Sequence, residues 1–307
     1  MHECEHSNAN CFSILVQRQE ENMGIFRDVL ITTDYDRTLT APDSSIPQRN
    51  LDAIRYFIEN GGAFTVNTGR TIPSFQRMMD KVPVNAPFLL YNGSAAYDYA
   101  AKEFLFAHEI KLNWVEVRQK ILDQFPSLWF EFQGEKAHYL FRKNAMWEGF
   151  CEHNHFAWSY AELGDDLGPF LKFCVYGKIA DVTIAHFFQG TEEEVALMDE
   201  VERWLNAEYG EYCVITRGAD LYIDVQPIGV SKGRSAQKLK TMLGKKILVC
   251  AGDAENDISM LDDADYAFCP SDGILKDKYP NVCACSEGAI ADVIAVLENQ
   301  ILPQVKE

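Results

Sequence analysis

Two aspartates that follow a short apolar run are the residues of this chain whose type and spacing most directly suggest chemistry. Asp34 and Asp36 come after Val29–Thr33, a run that predicts a buried strand. Side chains two residues apart on an extended chain point the same way, and ligands of parallel sheets gather at the carboxyl ends of the strands. The two carboxylates could therefore share a divalent cation or divide nucleophilic and acid–base roles, although the same spacing also occurs in solvated turns.

Three further segments place polar side chains where a predicted strand ends or a helix begins. Asn67-Thr68-Gly69-Arg70 closes a predicted strand, and its hydroxyl and backbone amides could hold a phosphate oxygen. Lys232 opens a helix, where an ammonium and unpaired N–H groups favour an anion. Residues 252–257, Gly-Asp-Ala-Glu-Asn-Asp, follow the apolar run Ile247–Ala251 and add oxygen ligands. Each segment alone is a weak signal, but all of them are expected at one edge of one sheet.

Hydrophobic periodicity gives alternating strands and helices in both end regions of the chain, which is typical of a parallel α/β sheet. Between them, strand pairs with intervening helices indicate an α+β module. The sequence therefore predicts an α/β core of residues 27–110 and 225–307, an inserted α+β domain of residues 111–224, and a loose arm at 1–26.

Three local predictions accompany this division. Residues 47–60 should form a helix that Ser45 caps, because an apolar stripe recurs there and Gly61-Gly62 follows. Residues 88–91 should add a short strand to the parallel sheet. Residues 212–216 and 221–225 should pair as a hairpin around Arg217-Gly218.

The four polar segments, taken in order, resemble the four motifs of the haloacid dehalogenase-like (HAD) phosphohydrolases. The pentapeptide DYDRT at 34–38 and the hexapeptide GDAEND at 252–257 carry most of the resemblance. The insert resembles the type IIB cap of the Cof-like subfamily, as do Tyr91-Asn92-Gly93 and the approach IGVSKG at 228–233. The resemblance implies a Rossmann-like core, a cap that selects the substrate, and a phosphatase that depends on Mg²⁺.

The resemblance also implies a role for each matching residue. Asp34 would be the nucleophile that forms an aspartyl-phosphate, and Asp36 the acid–base group. Mg²⁺ would be held by the Asp34 carboxylate, the Asp36 carbonyl and Asp253, with Asp257 positioning water on the metal. The residues implied to bind substrate or phosphate are Thr68, Gly69, Arg70, Asn92, Gly93, Lys232 and Asn256.

Two positions depart from the family pattern. Arg37 stands where glycine is usual, and it could contact the phosphate or the cap, or it could point into solvent. Residues 270–273, Pro-Ser-Asp-Gly, replace an Asn-Ala pair that is frequent in the subfamily. The resemblance therefore does not predict the role of this last substrate-facing loop.

Composition narrows the possible partners. A net charge of −18 argues against nucleic acid and anionic membranes, and no apolar stretch approaches the ~20 residues of a membrane span. Nine cysteines scattered over 307 residues suit free thiols in the cytoplasm. The expected partner is a small phosphorylated metabolite, bound by a monomer or a homodimer.

Several alternatives stay open at this point. An EF-hand at 253–264 is rejected, because Ile258 stands where glycine is needed and Ala264 where a bidentate glutamate is needed. Zinc could bind two His/Cys clusters, and an aromatic run in the insert could select the leaving group. The zinc clusters are His2, Cys4 and His6 with Cys151, His153 and His155, and the aromatic run is Trp147, Phe150, Phe156, Trp158 and Tyr160. The function could also be that of a phosphomutase or a sugar-phosphate sensor on the same fold.

Overall fold

The computed structural model describes residues 24–162, 164–177 and 190–305. Most of the predicted arm therefore lies outside the described residues. Its last residue is not loose, because Phe26 is fully buried and packs on Phe57 with ring centroids 4.8 Å apart. The ordered core thus begins before the predicted boundary.

Strands and helices alternate at both ends of the described chain, as the periodicity predicts. The described strands, in chain order, are β1 (Val29–Thr33), β2 (Ala63–Val66), β3 (Phe88–Leu90), β4 (Ala95–Asp98), β5 (Glu103–Ala107), β6 (Trp129–Gly134), β7 (His138–Leu140), β8 (Trp158–Tyr160), β9 (Phe170–Tyr176), β10 (Cys213–Ala219), β11 (Tyr222–Pro227), β12 (Ile247–Ala251), β13 (Tyr266–Pro270) and β14 (Asn281–Val282). The described helices are α1 (Gln48–Glu59), α2 (Ile72–Met79), α3 (Trp114–Gln124), α4 (Ala145–Asn154), α5 (Glu192–Tyr209), α6 (Lys232–Met242), α7 (Ile258–Asp262), α8 (Ala289–Val296) and α9 (Leu302–Val305).

The chain divides into two compact units, here called the core unit and the cap unit. Among the described residues, the core unit contains those up to Gly69, Met78–Phe106 and those from Ser231 onward, and the cap unit contains Arg70–Arg77 and those between Ala107 and Val230. The divisions fall within six residues of the predicted ones, except that Arg70–Arg77 groups with the cap unit.

A parallel sheet forms the centre of the core unit. Its strand order is β14-β13-β12-β1-β2, and β1 pairs in parallel with both β12 and β2. All five residues of β1 are buried, as a strand covered on both faces requires. Two neighbouring parallel strands, β1 and β12, therefore end side by side, at Thr33 and Ala251.

The prediction that residues 88–91 extend the parallel sheet is only partly right. β3 makes a single parallel pair, Leu89 with Asn67, and otherwise belongs to an antiparallel sheet of order β3-β4-β5. The chain reverses after β3 because Tyr91, Asn92 and Gly93 have positive φ angles of 54°, 53° and 94°. The short β4 that follows has no counterpart in the prediction.

A six-stranded sheet of order β10-β11-β9-β6-β7-β8 organises the cap unit, with only the β7–β8 pair parallel. One face is apolar and shares a buried cluster with residues of α3 and α5, such as Phe132, Ile121 and Leu205. On the other face Glu131, Cys174 and Asp224 lie opposite one another on adjacent strands, and all three are buried. This α+β unit matches the predicted class.

Two local predictions are wrong for identifiable reasons. Ser45 does not cap α1, because its hydroxyl and N–H both donate to Asp43 Oδ1, and Pro47 occupies the capping position instead. The β10–β11 hairpin turns at residues 220–221 and has a register shift between Arg217 and Ala219, so that the strands extend further than predicted. No helix of the described residues is long and apolar enough to cross a membrane.

Candidate active site

The first aspartate lies where β1 leaves the sheet. Asp34 donates its N–H to the Ala251 carbonyl at 2.9 Å, which extends the β1–β12 ladder by one residue. The chain then forms a wide turn over Tyr35–Leu39, closed by the Thr40 N–H on the Tyr35 carbonyl at 3.0 Å. Asp36, within this turn, has a half-buried side chain.

The loop after β12 brings two further aspartates to the same edge. Asp257 Oδ2 accepts the backbone N–H groups of Asp253 and Ala254 at 3.0 and 3.1 Å. Only glycine allows this approach at position 252, because a Cβ there would meet the Asp257 Cβ at 2.5 Å. Thr38 Oγ1 donates to Asp253 Oδ1 at 3.0 Å and so joins the loop to the Tyr35–Leu39 turn.

Lys232 connects the two aspartate-bearing loops. It lies at the start of α6, where the Ser231 hydroxyl accepts the Arg234 N–H as a cap. Its side chain is fully buried, and Nζ donates to Asp34 Oδ1 at 2.6 Å and to Asp257 Oδ1 at 2.7 Å. Asn67 Nδ2 donates to the Lys232 carbonyl at 2.9 Å and fixes the helix start against the end of β2.

We call Asp34, Asp253 and Asp257 the core aspartate cluster. One carboxylate oxygen of each lies within 4.8 Å of the others, and all three side chains are buried. Burial and the neighbouring carboxylates raise the pKa of Asp34 well above its usual value, against the attraction of Lys232. Burial, together with Asp257, raises the pKa of Asp253 to about 6. With all three carboxylates ionised, the cluster would hold more negative charge than Lys232 compensates.

Lys232 stays charged in this setting. Burial by itself lowers the pKa of its ammonium group, but the carboxylates of Asp257 and Asp34 raise it more, to above its usual value. One ammonium thus faces three carboxylates.

The core aspartate cluster fits a hard divalent cation such as Mg²⁺. Its donors are carboxylate oxygens alone, which Mg²⁺ and similar ions prefer to nitrogen or sulfur. A divalent cation would also favour the ionised carboxylates and so lower the pKa values of Asp34 and Asp253, which burial and the neighbouring carboxylates raise. Asp36 is predicted to bind the metal only through its backbone carbonyl. Its carboxylate is accordingly not one of the three clustered groups.

The predicted phosphate-binding residues of the core unit lie around one another. Asn92 donates its N–H to the Thr68 carbonyl at 3.0 Å, and its Oδ1 accepts from Asn256 Nδ2 at 3.3 Å. Gly69 and Gly93 allow this packing, because a Cβ at 69 would meet Asn92 Oδ1 at 2.7 Å and one at 93 would meet the Ser231 carbonyl at 2.4 Å. The five residues Thr68, Gly69, Asn92, Gly93 and Asn256 thus form one group.

One detail of the phosphate-binding prediction is wrong. The N–H groups of Asn67 and Thr68 donate to the carbonyls of Thr33 and Leu89 at 2.8 and 2.9 Å, because both residues still belong to the sheet. These two amides cannot donate to a phosphate. That the Thr68 hydroxyl binds a phosphate oxygen stays a prediction. Arg70 belongs to the cap unit, and its role in binding phosphate stays a prediction as well.

Two residues that support the site had no role in the sequence-based prediction. Thr38 holds the Asp253 carboxylate, and Asn67 holds the main chain at Lys232. The sequence did indicate Thr38, since a hydroxyl five residues beyond the end of a strand can reach the neighbouring strand end. The contact of Asn67 joins residues 165 apart in sequence, and no local pattern indicates it.

The cap unit contains a second buried polar group, which we call the Glu131 network. Glu131 Oε1 accepts from Gln133 Nε2 at 2.6 Å and Tyr176 OH at 2.9 Å, and Oε2 accepts from Trp147 Nε1 at 3.1 Å and His138 Nδ1 at 3.2 Å. Burial alone would raise the pKa of Glu131, but His138 and the other donors lower it below its usual value. This carboxylate is fully compensated.

The Glu131 network also explains one of the aromatic residues. Trp147 packs between Trp129 and Tyr176, with ring centroids 4.9 and 5.2 Å away, and donates to Glu131. Trp147 is therefore part of the cap core, whereas leaving-group selection by Trp158 stays a prediction.

The described residues give no support for zinc in the cap unit. Within 24–162, 164–177 and 190–305, the core aspartate cluster is the one group of three or more metal-ligating side chains. Cys151 is fully buried, and burial raises the pKa of its thiol to about 12, which disfavours the thiolate that zinc needs. The other predicted cluster, His2, Cys4 and His6, lies outside the described part of the chain.

Comparison with known proteins agrees with this geometry. The family model of haloacid dehalogenase-like hydrolases matches residues 31–284, which includes both aspartate-bearing loops and the whole cap unit. The chain belongs to the haloacid dehalogenase-like hydrolases. The predicted fold class, a Rossmann-like parallel-sheet core with an inserted type IIB α+β cap, is confirmed.

Individual relatives of this HAD hydrolase are distant. A putative phosphatase of Buchnera aphidicola is 24% identical over 259 residues, 82% of this chain and 91% of the relative. The 5-amino-6-(5-phospho-D-ribitylamino)uracil phosphatase YcsE of Bacillus subtilis is 23% identical over 241 residues, 76% and 80% of the two chains. The solved HAD subclass IIB sugar phosphatase BT4131 superposes with a TM-score of 0.68 at 19% identity, covering 88% of this chain and 98% of that one.

Proposed function

We propose that this HAD hydrolase is a Mg²⁺-dependent phosphatase of small phosphomonoesters that acts through an aspartyl-phosphate on Asp34. The observation that carries the proposal is the joint contact of Lys232 with Asp34 and Asp257, within a buried cluster of three carboxylates. A carboxylate and a phosphate repel each other, so a site that joins them needs positive charge close to both.

Asp34 is the nucleophile in this proposal. Its carboxylate oxygen attacks phosphorus, the bond from phosphorus to the ester oxygen breaks, and the phosphoryl group is transferred to Asp34. Lys232 holds the carboxylate in place through its 2.6 Å contact and opposes the rise in the pKa of Asp34 that burial causes. The same ammonium would neutralise phosphoryl charge as it develops.

Asp36 supplies the proton transfers. It follows Asp34 by two residues and is half-buried, so that its carboxyl can meet solvent and substrate. It gives a proton to the leaving oxygen and then takes one from the water that attacks the phosphoryl group. Attack of water at phosphorus releases inorganic phosphate and restores the Asp34 carboxylate.

The core aspartate cluster would hold Mg²⁺ through Asp34 and Asp253, with Asp257 beside them. When bound, the ion supplies charge neutralisation between the Asp34 carboxylate and the phosphoryl oxygens. Thr38 and the backbone N–H groups that fix Asp253 and Asp257 keep these carboxylates in place.

Sugar phosphates are the proposed substrate class. One fold relative is named a sugar phosphatase, and a sequence relative is named a phosphatase of a phosphoribityl compound, which supports a phosphorylated polyol. The phosphorylated metabolite would be bound by a monomer or a homodimer. The cytoplasm is the proposed location, because the seven cysteines of the described residues are all free thiols.

The test is phosphate release from a panel of phosphorylated sugars, nucleotides and cofactors, with Mg²⁺ or with EDTA, by the wild type and Asp34→Asn. We expect release that requires Mg²⁺ and is lost in the variant, with the highest kcat/KM among sugar phosphates. Conversion of a sugar phosphate to its isomer without phosphate release would instead indicate a mutase. Neither reaction with any compound, from folded protein with Mg²⁺, would contradict the proposal.

A further inference from the structure

Arg37 has a backbone conformation that its residue type disfavours. Its φ and ψ are 60° and 13°, in the left-handed region where glycine is the usual residue. A side chain in this region costs on the order of 1 kcal/mol relative to glycine. The turn enforces the conformation, because the Arg37 N–H donates to Thr40 Oγ1 at 3.3 Å and the Thr40 N–H closes the turn on Tyr35. Arginine is therefore present despite a local cost.

The Arg37 side chain is exposed, and its charge has no ion-pair partner among the described residues. Several other arginines of the described chain do form ion pairs: Arg49 with Asp292, Arg55 with Asp52, and Arg217 with Asp199 and Glu202. The cation of the site itself, Lys232, is already committed to Asp34 and Asp257. Arg37 is thus the cation in this loop whose charge a ligand can still use.

Arg37 lies in the turn that carries the proposed active site. It directly follows Asp36, and the next residue, Thr38, donates to Asp253 Oδ1 at 3.0 Å. Burial would raise the pKa of Asp272, on the loop after β13, and hydrogen bonds from Cys285 together with the charge of Arg37 lower it. The guanidinium of Arg37 is thus carried by the same turn as the proposed nucleophile.

The surroundings make such a cation useful. Four aspartates lie in the loop that contains Arg37 and in the neighbouring loop after β12: Asp34, Asp36, Asp253 and Asp257. The whole chain carries a net charge of −18. An anionic substrate would meet a repulsive field at this edge of the sheet. A guanidinium binds carboxylate or phosphate groups through two parallel hydrogen bonds, which an ammonium cannot do.

We infer that Arg37 binds an anionic group on the leaving portion of the substrate, so that the preferred substrates are phosphomonoesters with a second phosphate or a carboxylate. The inference rests on the proposed function. The leaving portion is favoured over the transferred phosphoryl group because Arg37 directly follows Asp36, the residue proposed to protonate the leaving oxygen. Lys232, at the start of α6, already serves the nucleophile.

The experiment compares two substrates that differ only in a second anion, glucose 6-phosphate and glucose 1,6-bisphosphate. The variants are Arg37→Gly, Arg37→Gln and Arg37→Lys, with Arg55→Gln as a control that removes another exposed guanidinium from the core unit. We expect the wild-type kcat/KM to favour the bisphosphate. The ratio of the two kcat/KM values should fall about 10-fold or more in Arg37→Gly and Arg37→Gln, through KM, and partly recover in Arg37→Lys.

A binding readout without turnover accompanies the kinetics. In EDTA, glucose 1,6-bisphosphate should raise the melting temperature of the wild type and of Arg55→Gln more than that of Arg37→Gln. Arg37→Gly should also melt at a higher temperature than Arg37→Gln without ligand, because glycine relieves the left-handed strain.

Equal losses for both substrates, or an unchanged ratio in Arg37→Gly and Arg37→Gln, would overturn the inference. The failure of the proposed function gives a different result, since the wild type would then release phosphate from neither sugar phosphate nor from any other compound of the panel.

Discussion

Two buried groups of charged side chains, one in each unit of the chain, are built in opposite ways. In the core unit three carboxylates share one ammonium, and burial raises the pKa values of Asp34 and Asp253. In the cap unit the single carboxylate of Glu131 receives four hydrogen bonds, and its pKa is lowered despite burial. The side chains of both groups are buried, so burial alone does not explain the difference.

The difference shows what each group is for. A buried carboxylate that is fully paired stabilises its surroundings, whereas unpaired buried charge costs stability and is kept where function needs it. The Lys172–Asp224 pair of the cap unit, 2.8 Å apart, follows the first pattern. The core aspartate cluster follows the second, and its excess negative charge is what a divalent cation would compensate.

The largest expected effect is on activity in the core unit. Asp34→Asn should lower the rate of phosphate release by at least about 10³-fold, because the amide is not a nucleophile. Its free energy of unfolding in EDTA should not fall, since the environment of Asp34 already favours the neutral form. Chemical denaturation and phosphate release, measured on the same preparation, check both parts. If Asp34→Asn lost as much stability as a variant of the Glu131 network, the contrast between the two buried groups would not hold.

The largest expected effect on stability is in the cap unit. Glu131→Gln should lower the free energy of unfolding by about 3 kcal/mol, because the buried donors of His138, Tyr176 and Trp147 lose a charged acceptor. Urea denaturation measures the change. Glu135→Gln, an exposed glutamate of the same unit, is the control and should change stability by less than about 0.5 kcal/mol. Equal effects of the two changes would show that the Glu131 network does not stabilise the cap unit.

Mg²⁺ should distinguish the two groups in a single titration. It should raise the melting temperature of the wild type and of Glu131→Gln, because binding to the folded state alone stabilises that state. Asp253→Asn should lose most of the increase, since it removes one of the three clustered carboxylates. An increase retained in Asp253→Asn but lost in Glu131→Gln would place the cation in the wrong unit.

The smallest expected effects are opposite pH dependences of stability. The raised pKa of Asp253 means that its contribution is fully present below pH 3.8 and is lost as pH rises through about 6. In EDTA, Asp253→Asn should therefore match the wild type near pH 4 and be more stable by about 1–3 kcal/mol at pH 7. Melting curves between pH 4 and 7 test this, and parallel curves would contradict it.

The lowered pKa of Glu131 has the reverse consequence. Its contribution is present above the usual value of 4.5 and is lost as pH falls through the lower pKa of the folded state. The stability difference between wild type and Glu131→Gln should therefore shrink below pH 4.5, as followed by urea denaturation. A constant difference down to pH 3 would show that Glu131 is not held ionised.

The same contrast explains how far sequence could anticipate the molecule. The core aspartate cluster was predictable, because Asp34 and Asp253 each follow an apolar run and parallel strands that end together bring such residues together. The Glu131 network was not, because its members come from β6, β7, β9 and α4, and the antiparallel register that joins Glu131 to Cys174 leaves no local pattern. Trp147 consequently gave the same signal as a substrate-facing aromatic residue.

Local errors had local causes. Ser45 resembled a helix cap, but Asp43 competes for its hydroxyl. The amides of Asn67 and Thr68 resembled a phosphate loop, but the sheet continues through them. Arg37 was recognised as a departure from the family pattern, and its left-handed φ of 60° could be found only from the structure.

The central claim is that Asp34 accepts the phosphoryl group within the core aspartate cluster. Asp36→Asn with p-nitrophenyl phosphate tests it most directly, because this leaving group needs no proton from Asp36 while hydrolysis of the intermediate still needs a base. After acid quenching, mass spectrometry of the peptide that contains Asp34 should show one added phosphoryl group with Mg²⁺ and none with EDTA. A phosphoryl group found on another residue, or phosphate released at the wild-type rate without any adduct, would contradict the account.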